Sequence, residues 1–321
     1  MNRLFKWCVA GLVSVAAAVA SAQEFPQRPL RLLVGFAPGG GTDTVARVLA
    51  QGIGEVLGQP VVVENRPGAS TQIATEIVAK APADGYTLML ATIAHALNPG
   101  LFAKLPYDSL NDFTPVGLVA TSPLMVVVSP TVPVSNMKEL IAYAKSNPGR
   151  LNFGMATGST PHIAGAIFQK MAGIEFVNVP FKGSALVYPD LIAGRIHFTF
   201  DAMVSALPQV QGGKVKGIAV TSAQRSATAP DIPTIAESGL DGFAAEPWFG
   251  ILAPAATPPA IVNRLNAAVR KAVANPAVRE KLVNSGYTIK DGTPAEFATY
   301  LRSETEKWVQ AAKDSGASEQ R

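Results

Sequence analysis

Residues Leu30–Asp43 read LRLLVGFAPGGGTD, a short apolar run that empties into three consecutive glycines. Leu30–Phe36 has the branched, apolar character of a β-strand. From Thr44 onward Val45, Val48, Leu49, Ile53 and Val56 recur at helical spacing until Gly58 ends the run. A strand passing through a glycine turn straight into a helix is half of an α/β unit. Glycines here let a ligand approach the backbone closely. A helix N-terminus adds unpaired N–H donors and partial positive charge, together an anion site. In open α/β sheets such turns lie at the carboxyl ends of strands, where ligands bind. Phe36, Pro38, Gly39, Gly40, Gly41, Thr42 and Asp43 are therefore candidate ligand contacts. Thr42 or Asp43 also suits a plain helix cap. The spacing is not G-x-G-x-x-G, and no Gly-Lys-Ser/Thr follows, so neither nucleotide-binding turn is present.

Working outward, Val61–Glu64 reads as a second strand, Thr71–Lys80 as a helix and Tyr86–Ala91 as a third strand. This order calls for a parallel or mixed sheet covered by helices. The pattern restarts at Leu124–Ser129. A helix over Met137–Ser146 follows, then strand Asn152–Met155 and a helix over Pro161–Ala172 closed by Gly173. Strand Phe176–Val179, helix Leu186–Ala193, and strands His197–Asp201 and Lys216–Val220 complete the second set. The tail is more helical: Thr257-Pro258, Asn275-Pro276 and Thr293-Pro294 each set a capping residue before a proline, and Thr293 with Glu296 forms a capping box. Phe297, Leu301, Trp308 and Val309 of the last helix read as core. A tail packing back on the first set makes one domain discontinuous. We expect residues 23–122 with 226–321 in domain 1 and 123–225 in domain 2, with crossings near Thr121–Leu124 and Ser222–Pro230.

A second anion-ready turn, Thr157-Gly158-Ser159-Thr160-Pro161-His162, also follows a strand and opens a helix, with Thr160 as the expected cap. It lies in the other half of the chain. Two helix N-termini facing across a cleft suit a ligand with acidic groups. Thr92 and His95 after the third strand, Lys182 and Gly183 before another helix, Asp201 at a strand end, and Trp248 beside Pro247 are further candidates. Each has a bland reading as well: solvated charge, loop brace or core filler. Ser159, His162 and Asp201 supply the residue types of a triad, but Ser159 and Thr160 also read as plain helix capping, which needs no catalysis. No G-x-S-x-G or H-E-x-x-H occurs, and His95, His162 and His197 lack metal-ligand spacing. We expect no enzyme activity, no cofactor and no metal.

Upstream, Arg3 and Lys6 precede an apolar run from Trp7 to Ala20, and Ala20-Ser21-Ala22 is a small-x-small cleavage site. That run reaches only about 21 Å as a helix, short of a bilayer core of about 30 Å. Residues 1–22 are read as a signal peptide, which places the protein in the periplasm. Cys8, the single cysteine, leaves with it, so the mature chain forms no disulfide and offers no thiolate. The formal charge of +4 then falls to +2, with 25 basic against 23 acidic residues, and no basic cluster interleaves with aromatics. Nucleic acid is not an expected partner.

Nine stretches, in order, resemble the tripartite tricarboxylate transporter substrate-binding proteins, or Bug proteins. They are FAPGGGTD at Phe36–Asp43, VVVENRPGA at Val61–Ala69, KAPADGYTL at Lys80–Leu88, HALNP at His95–Pro99 and LPYD at Leu105–Asp108. DFTPV at Asp112–Val116, FKGS at Phe181–Ser184, AVTSAQRS at Ala219–Ser226 and WFGILAPAATP at Trp248–Pro258 complete the set. The resemblance implies an α/β, two-domain periplasmic binding protein of the Venus flytrap type, each domain a mixed sheet flanked by helices with the ligand cleft between them. It implies that Phe36–Asp43 and Thr157–His162 clasp a ligand carboxylate through backbone N–H groups and waters. Di- and tricarboxylates, acidic amino acids and aromatic acids are the implied ligands, and integral-membrane permease subunits of a tripartite transporter the implied partners. A monomer is expected. A sensor component presenting its ligand to a membrane receptor is the alternative, and a periplasmic hydrolase a more distant one. Two positions depart from the family's habit: Ala166, where an acidic residue is common, and Ala185–Pro189, where Tyr188 interrupts a small-residue run. Both bear on the polarity of the pocket.

Overall fold

Alternation along the strands explains the layering of the first half. The computed structural model describes residues 25–39, 41–155, 159–181 and 186–314; the expected signal peptide lies outside them. Strand β1 (Leu30–Val34) pairs in parallel with β2 (Val61–Asn65) and β3 (Thr87–Thr92). Leu30, Leu32 and Val34 point to one face with Leu88 and Leu90, while Leu33, Met89 and Ala91 point to the other. A strand that buries both faces needs helices on both sides. One side is covered by α1 (Gly41–Leu57), through Val45, Leu49 and Ile53, and by two tail helices. The opposite side is covered by α2 (Gln72–Ala79) and α3 (Ile93–Leu101). Glycine has a specific use at Gly35, where a Cβ would lie 2.5 Å from Thr71 Cβ. The loop before α2 is packed that close to the end of β1.

The first sheet is completed by strands far apart in sequence. Its order is β11-β4-β10-β3-β1-β2, with β4 at Phe113–Thr121, β10 at Trp248–Pro254 and β11 at Thr288–Ile289. Strand β10 runs antiparallel between β3 and β4. The second sheet, in order β7-β6-β8-β5-β9, uses β5 (Leu124–Val128), β6 (Asn152–Met155), β7 (Val177–Pro180), β8 (Phe198–Ala202) and β9 (Lys216–Val220). Leu124, Val126 and Val128 face α4 (Met137–Ser146) and α5 (Thr160–Ala172), along with a cluster of Phe153, Phe168, Phe198 and Phe200. Met125 and Val127 face α6 (Tyr188–Ile192) and α7 (Met203–Gln211). Among the described residues no helix is long and apolar enough to cross a membrane.

The chain passes between the sheets twice, and the two passages lie side by side. On the way out β4 leads through Ser122 and Pro123 into β5. On the way back Pro247 leads into β10, Trp248 pairs with Thr121, and Ser122 N–H donates to Pro247 O at 2.8 Å. The return passage expected at Ser222–Pro230 is displaced. Beyond β9 the chain stays with the second sheet: Ile235 N–H donates to Val220 O at 3.0 Å and Ala245 N–H to Thr221 O at 2.9 Å.

The tail then adds α8 (Pro259–Ala274), α9 (Pro276–Asn284) and α10 (Pro294–Asp314). Asn275 caps α9 and Thr293 with Glu296 forms its box as expected. Thr257 does not cap α8; its hydroxyl donates to Pro254 O at 2.7 Å, and the helix begins two residues later. Helix α10 packs on α3 and also reaches α5 of the second half. There Lys307 Nζ lies 3.4 Å from Ala244 O, on the return passage.

Candidate ligand-binding cleft

A cavity of about 410 Å³ opens between the two sheets and is bounded by residues of both. Its size falls within the range typical of small-molecule sites. The starts of three helices reach its wall: Thr42 in the first turn of α1, Thr92, Ile93 and Ala94 at the head of α3, and Ser159, Thr160 and Pro161 at the head of α5. Each helix start carries N–H groups without intrahelical partners and a fractional positive charge. Converging on one space, they make that space favourable to an anion.

The glycine-rich turn is held by Asp43 from behind. One carboxylate oxygen accepts from Gly39 N–H and from Arg47 Nε, both at 2.9 Å, and the other accepts from Asn65 Nδ2 at 2.9 Å. Asn65 Nδ2 also donates to Phe36 O at 3.0 Å. The Arg47 guanidinium chiefly, then the Gly39 and Asn65 donors, holds the Asp43 carboxyl down at about 2. Asp43 is thus a loop brace and not part of the cavity wall, because its side chain turns toward β2. Phe36 stands at the rim, 38 % exposed, and Thr42 faces inward. Pro38, Gly39 and Gly41 lie on the exposed side of the turn, outside the wall. Gly40 lies outside the described residues.

In the second turn the cap is Ser159, not Thr160: Ser159 Oγ accepts from His162 N–H at 3.4 Å, and Thr160 already belongs to the helix. Ser159 and Thr160 line the cavity. His162 is half-buried beside them, outside the wall, and burial lowers its pKa. Thr157, Gly158, Lys182 and Gly183 lie outside the described residues.

Thr92 lines the cavity and caps α3, accepting from Ala94 N–H at 3.4 Å. His95, one residue further on, points the other way and is a core residue. Its ring lies 4.9 Å from Phe113 and 6.2 Å from Tyr107, with no exposure. Nε2 is 2.8 Å from Ser109 O, an atom that only accepts, so the ring proton sits on Nε2. Burial pushes its pKa down to about 4, which keeps the imidazole neutral.

Asp201, at the end of β8, is in the wall and 2 % exposed. Its Oδ2 accepts from Tyr188 OH at 2.8 Å and from Ser205 Oγ at 2.6 Å. Trp248 is in the floor, fully enclosed, with its ring edge-on to Phe297 and Tyr300.

The cavity also includes residues the sequence reading passed over. Trp308, read there as core, is core and backs the cavity as well, its Nε1 donating to Glu304 Oε2 at 2.7 Å. Leu97, Leu124, Met155, Val187 and Phe249 supply much of the apolar wall. Met155 ends a strand and Leu124 begins one beside the passage, so position relative to strand ends was the available signal.

Ser70 is the least expected. Ala69, Ser70 and Thr71 all adopt positive φ (45°, 51° and 73°), a conformation that costs about 1–2 kcal/mol per non-glycine residue. Asn98 Nδ2 holds this bend by donating to Ser70 O at 2.8 Å, and it lies 3.1 Å from Tyr107 OH. The HALNP and LPYD stretches therefore act as supports for the cavity wall.

The comparisons with known proteins agree on one family. The profile described as tripartite tricarboxylate transporter family receptor matches residues 45–316. BugT of Bordetella pertussis is 36 % identical over 99 % of both chains. Among solved structures, R. palustris Rpa4515 with adipate is 37 % identical, covering 91 % of this chain and 99 % of that one, with a TM-score of 0.77. MatC of Rhodopseudomonas palustris with bound malate is 33 % identical over 90 % and 100 % of the two chains, with a TM-score of 0.73.

Proposed function

The chain belongs to the tripartite tricarboxylate transporter receptor family, a family of periplasmic solute-binding proteins, and on that premise we propose that it captures a small carboxylate and hands it to the membrane subunits of such a transporter. The observation that carries the reading is the convergence of three helix N-termini on one cavity bounded by both sheets. The carboxylate is received by backbone N–H groups at the heads of α1 and α5, one from each half. A ligand held by both halves favours the state in which they are close together. The two adjoining passages, Thr121–Leu124 and 246–248, are where the movement is absorbed. The halves that move are residues 25–121 with 248–314, and residues 124–245. Relatives whose structures are solved with adipate and with bound malate are consistent with acids of this size.

The test is a thermal-shift screen of refolded, ligand-free mature protein against citrate, succinate, malate, adipate, glutamate, nicotinate and terephthalate. A ligand that binds only the folded state raises the melting temperature with its occupancy. A saturable rise with one class identifies the cargo. A flat response to every acid, from protein that unfolds cooperatively, refutes carboxylate capture.

A further inference from the structure

The cavity is not equally suited to acids of every kind. Asp201 is the one acidic side chain among its described lining residues, and no basic side chain is among them. Its Oδ2 is occupied by two neutral hydroxyls, Tyr188 OH and Ser205 Oγ. Neither a hydrogen bond nor an ion pair reaches its Oδ1 from any described residue. Tyr188 is itself buried, and burial together with the Asp201 charge raises its pKa, so its hydroxyl stays a donor. A buried carboxylate with one oxygen satisfied and the other open asks for a donor from the ligand side. The remaining polar side chains of the lining are hydroxyls and the indoles of Trp248 and Trp308; Thr199 Oγ1 is already committed to Gly154 O at 2.7 Å and Trp308 Nε1 to Glu304. A second ligand carboxylate brought to this wall is set against another acid group that is itself only 2 % exposed, where such a pair is poorly screened.

We propose that Asp201 is a specificity-determining residue that selects acids bearing a hydrogen-bond donor, a hydroxyl or an ammonium group, over the same acids without one. The inference rests on the carboxylate reading above and deepens it. The carboxylate of the ligand goes to the helix N-termini, its carbon body lies against Leu97, Leu124, Met155 and Phe249, and its donor meets Asp201 Oδ1. Tyr188 and Ser205 fix the carboxylate so that Oδ1 is the oxygen presented.

Titration calorimetry on the mature protein tests this with matched pairs: succinate against malate, adipate against 2-aminoadipate, and phenylacetate against 4-hydroxyphenylacetate. The pairs separate hydroxyl from ammonium donors and short bodies from aromatic ones. A hydrogen bond to a charged group corresponds to roughly tenfold or more in affinity. In at least one pair the donor-bearing acid is expected to bind about tenfold or more tightly, and Asp201→Asn is expected to bring that ratio to within about threefold. Tyr188→Phe, which keeps the carboxylate and removes one of its two donors, is expected to preserve or widen the ratio. Equal or tighter binding of the plain acid in every pair overturns the proposal while leaving carboxylate capture intact. So does an undiminished ratio in folded Asp201→Asn, or parity in folded Tyr188→Phe. Absence of binding by all six acids overturns this proposal alone where the thermal-shift panel identifies another acid, and overturns both readings where that panel is flat as well.

Discussion

Replacing Asp43 by asparagine tests whether the glycine-rich turn is shaped from behind. The substitution keeps the volume, removes the charge and sets an amide where three donors, from Gly39, Arg47 and Asn65, converge on two oxygens. A carboxyl held at about 2 against an ordinary value of 3.8 corresponds to somewhat over 2 kcal/mol. Arg47 is half-exposed, so solvent screening reduces this to about 1–2 kcal/mol. For a chain of this size that is a fall in melting temperature of roughly 2–3 °C at pH 7. Because the folded-state pKa is depressed, the contribution is fully present above about pH 4 and is lost as pH falls through about 2. Calorimetry of both proteins from pH 7 to pH 2.5 is the assay. The difference between them should be constant down to about pH 4 and shrink below it. An Asn variant as stable as wild type at pH 7, or a gap that persists unchanged at pH 2.5, refutes the bracing role.

Four other outcomes follow from the same geometry. Gly100→Ala sets a Cβ 2.8 Å from the Val309 Cα between α3 and α10, and should cost about 1–3 kcal/mol in urea unfolding. His95 is buried neutral with its pKa at about 4, so stability falls as pH drops from about 6.5 toward 4, and His95→Gln should remove up to about 3 kcal/mol of that slope. Ser159→Ala removes the cap of α5, with an expected loss of about 1 kcal/mol in stability and weaker carboxylate binding by calorimetry. Small-angle scattering should show a smaller radius of gyration with saturating ligand, and an unchanged curve argues against hinge closure.

What the sequence made legible was local. The β1–turn–α1 unit shows in the change from strand to helical spacing around Gly35–Thr44, and Asn275-Pro276 marks a helix start from two residues. What it hid was punctuated by proline. Pro99 and Pro208 sit inside α3 and α7, and Pro115 sits in β4, where proline argues against the element. Pro115 is tolerated because β11 covers only Ala120 and Thr121 of β4 and the register with β10 slips nearby. The site was half visible for a different reason. Asp43, His95 and Asp201 are all polar residues near strand ends, but only the direction of each side chain separates brace, core and wall. The apolar floor brings together Trp248 and Trp308, 60 positions apart in the chain, a relation no local pattern records.

The position of β10 has a consequence for how the protein is made. β10 lies between β3 and β4, yet its residues follow theirs by well over a hundred positions. Until Trp248–Pro254 has been synthesised, β1, β2 and β3 form one fragment and β4 stands apart, each with an open strand edge where the finished sheet has a partner. The first half therefore cannot close early, and its completion waits on nearly the whole polypeptide. The same delay leaves those open edges exposed to other chains if synthesis stalls before Pro254.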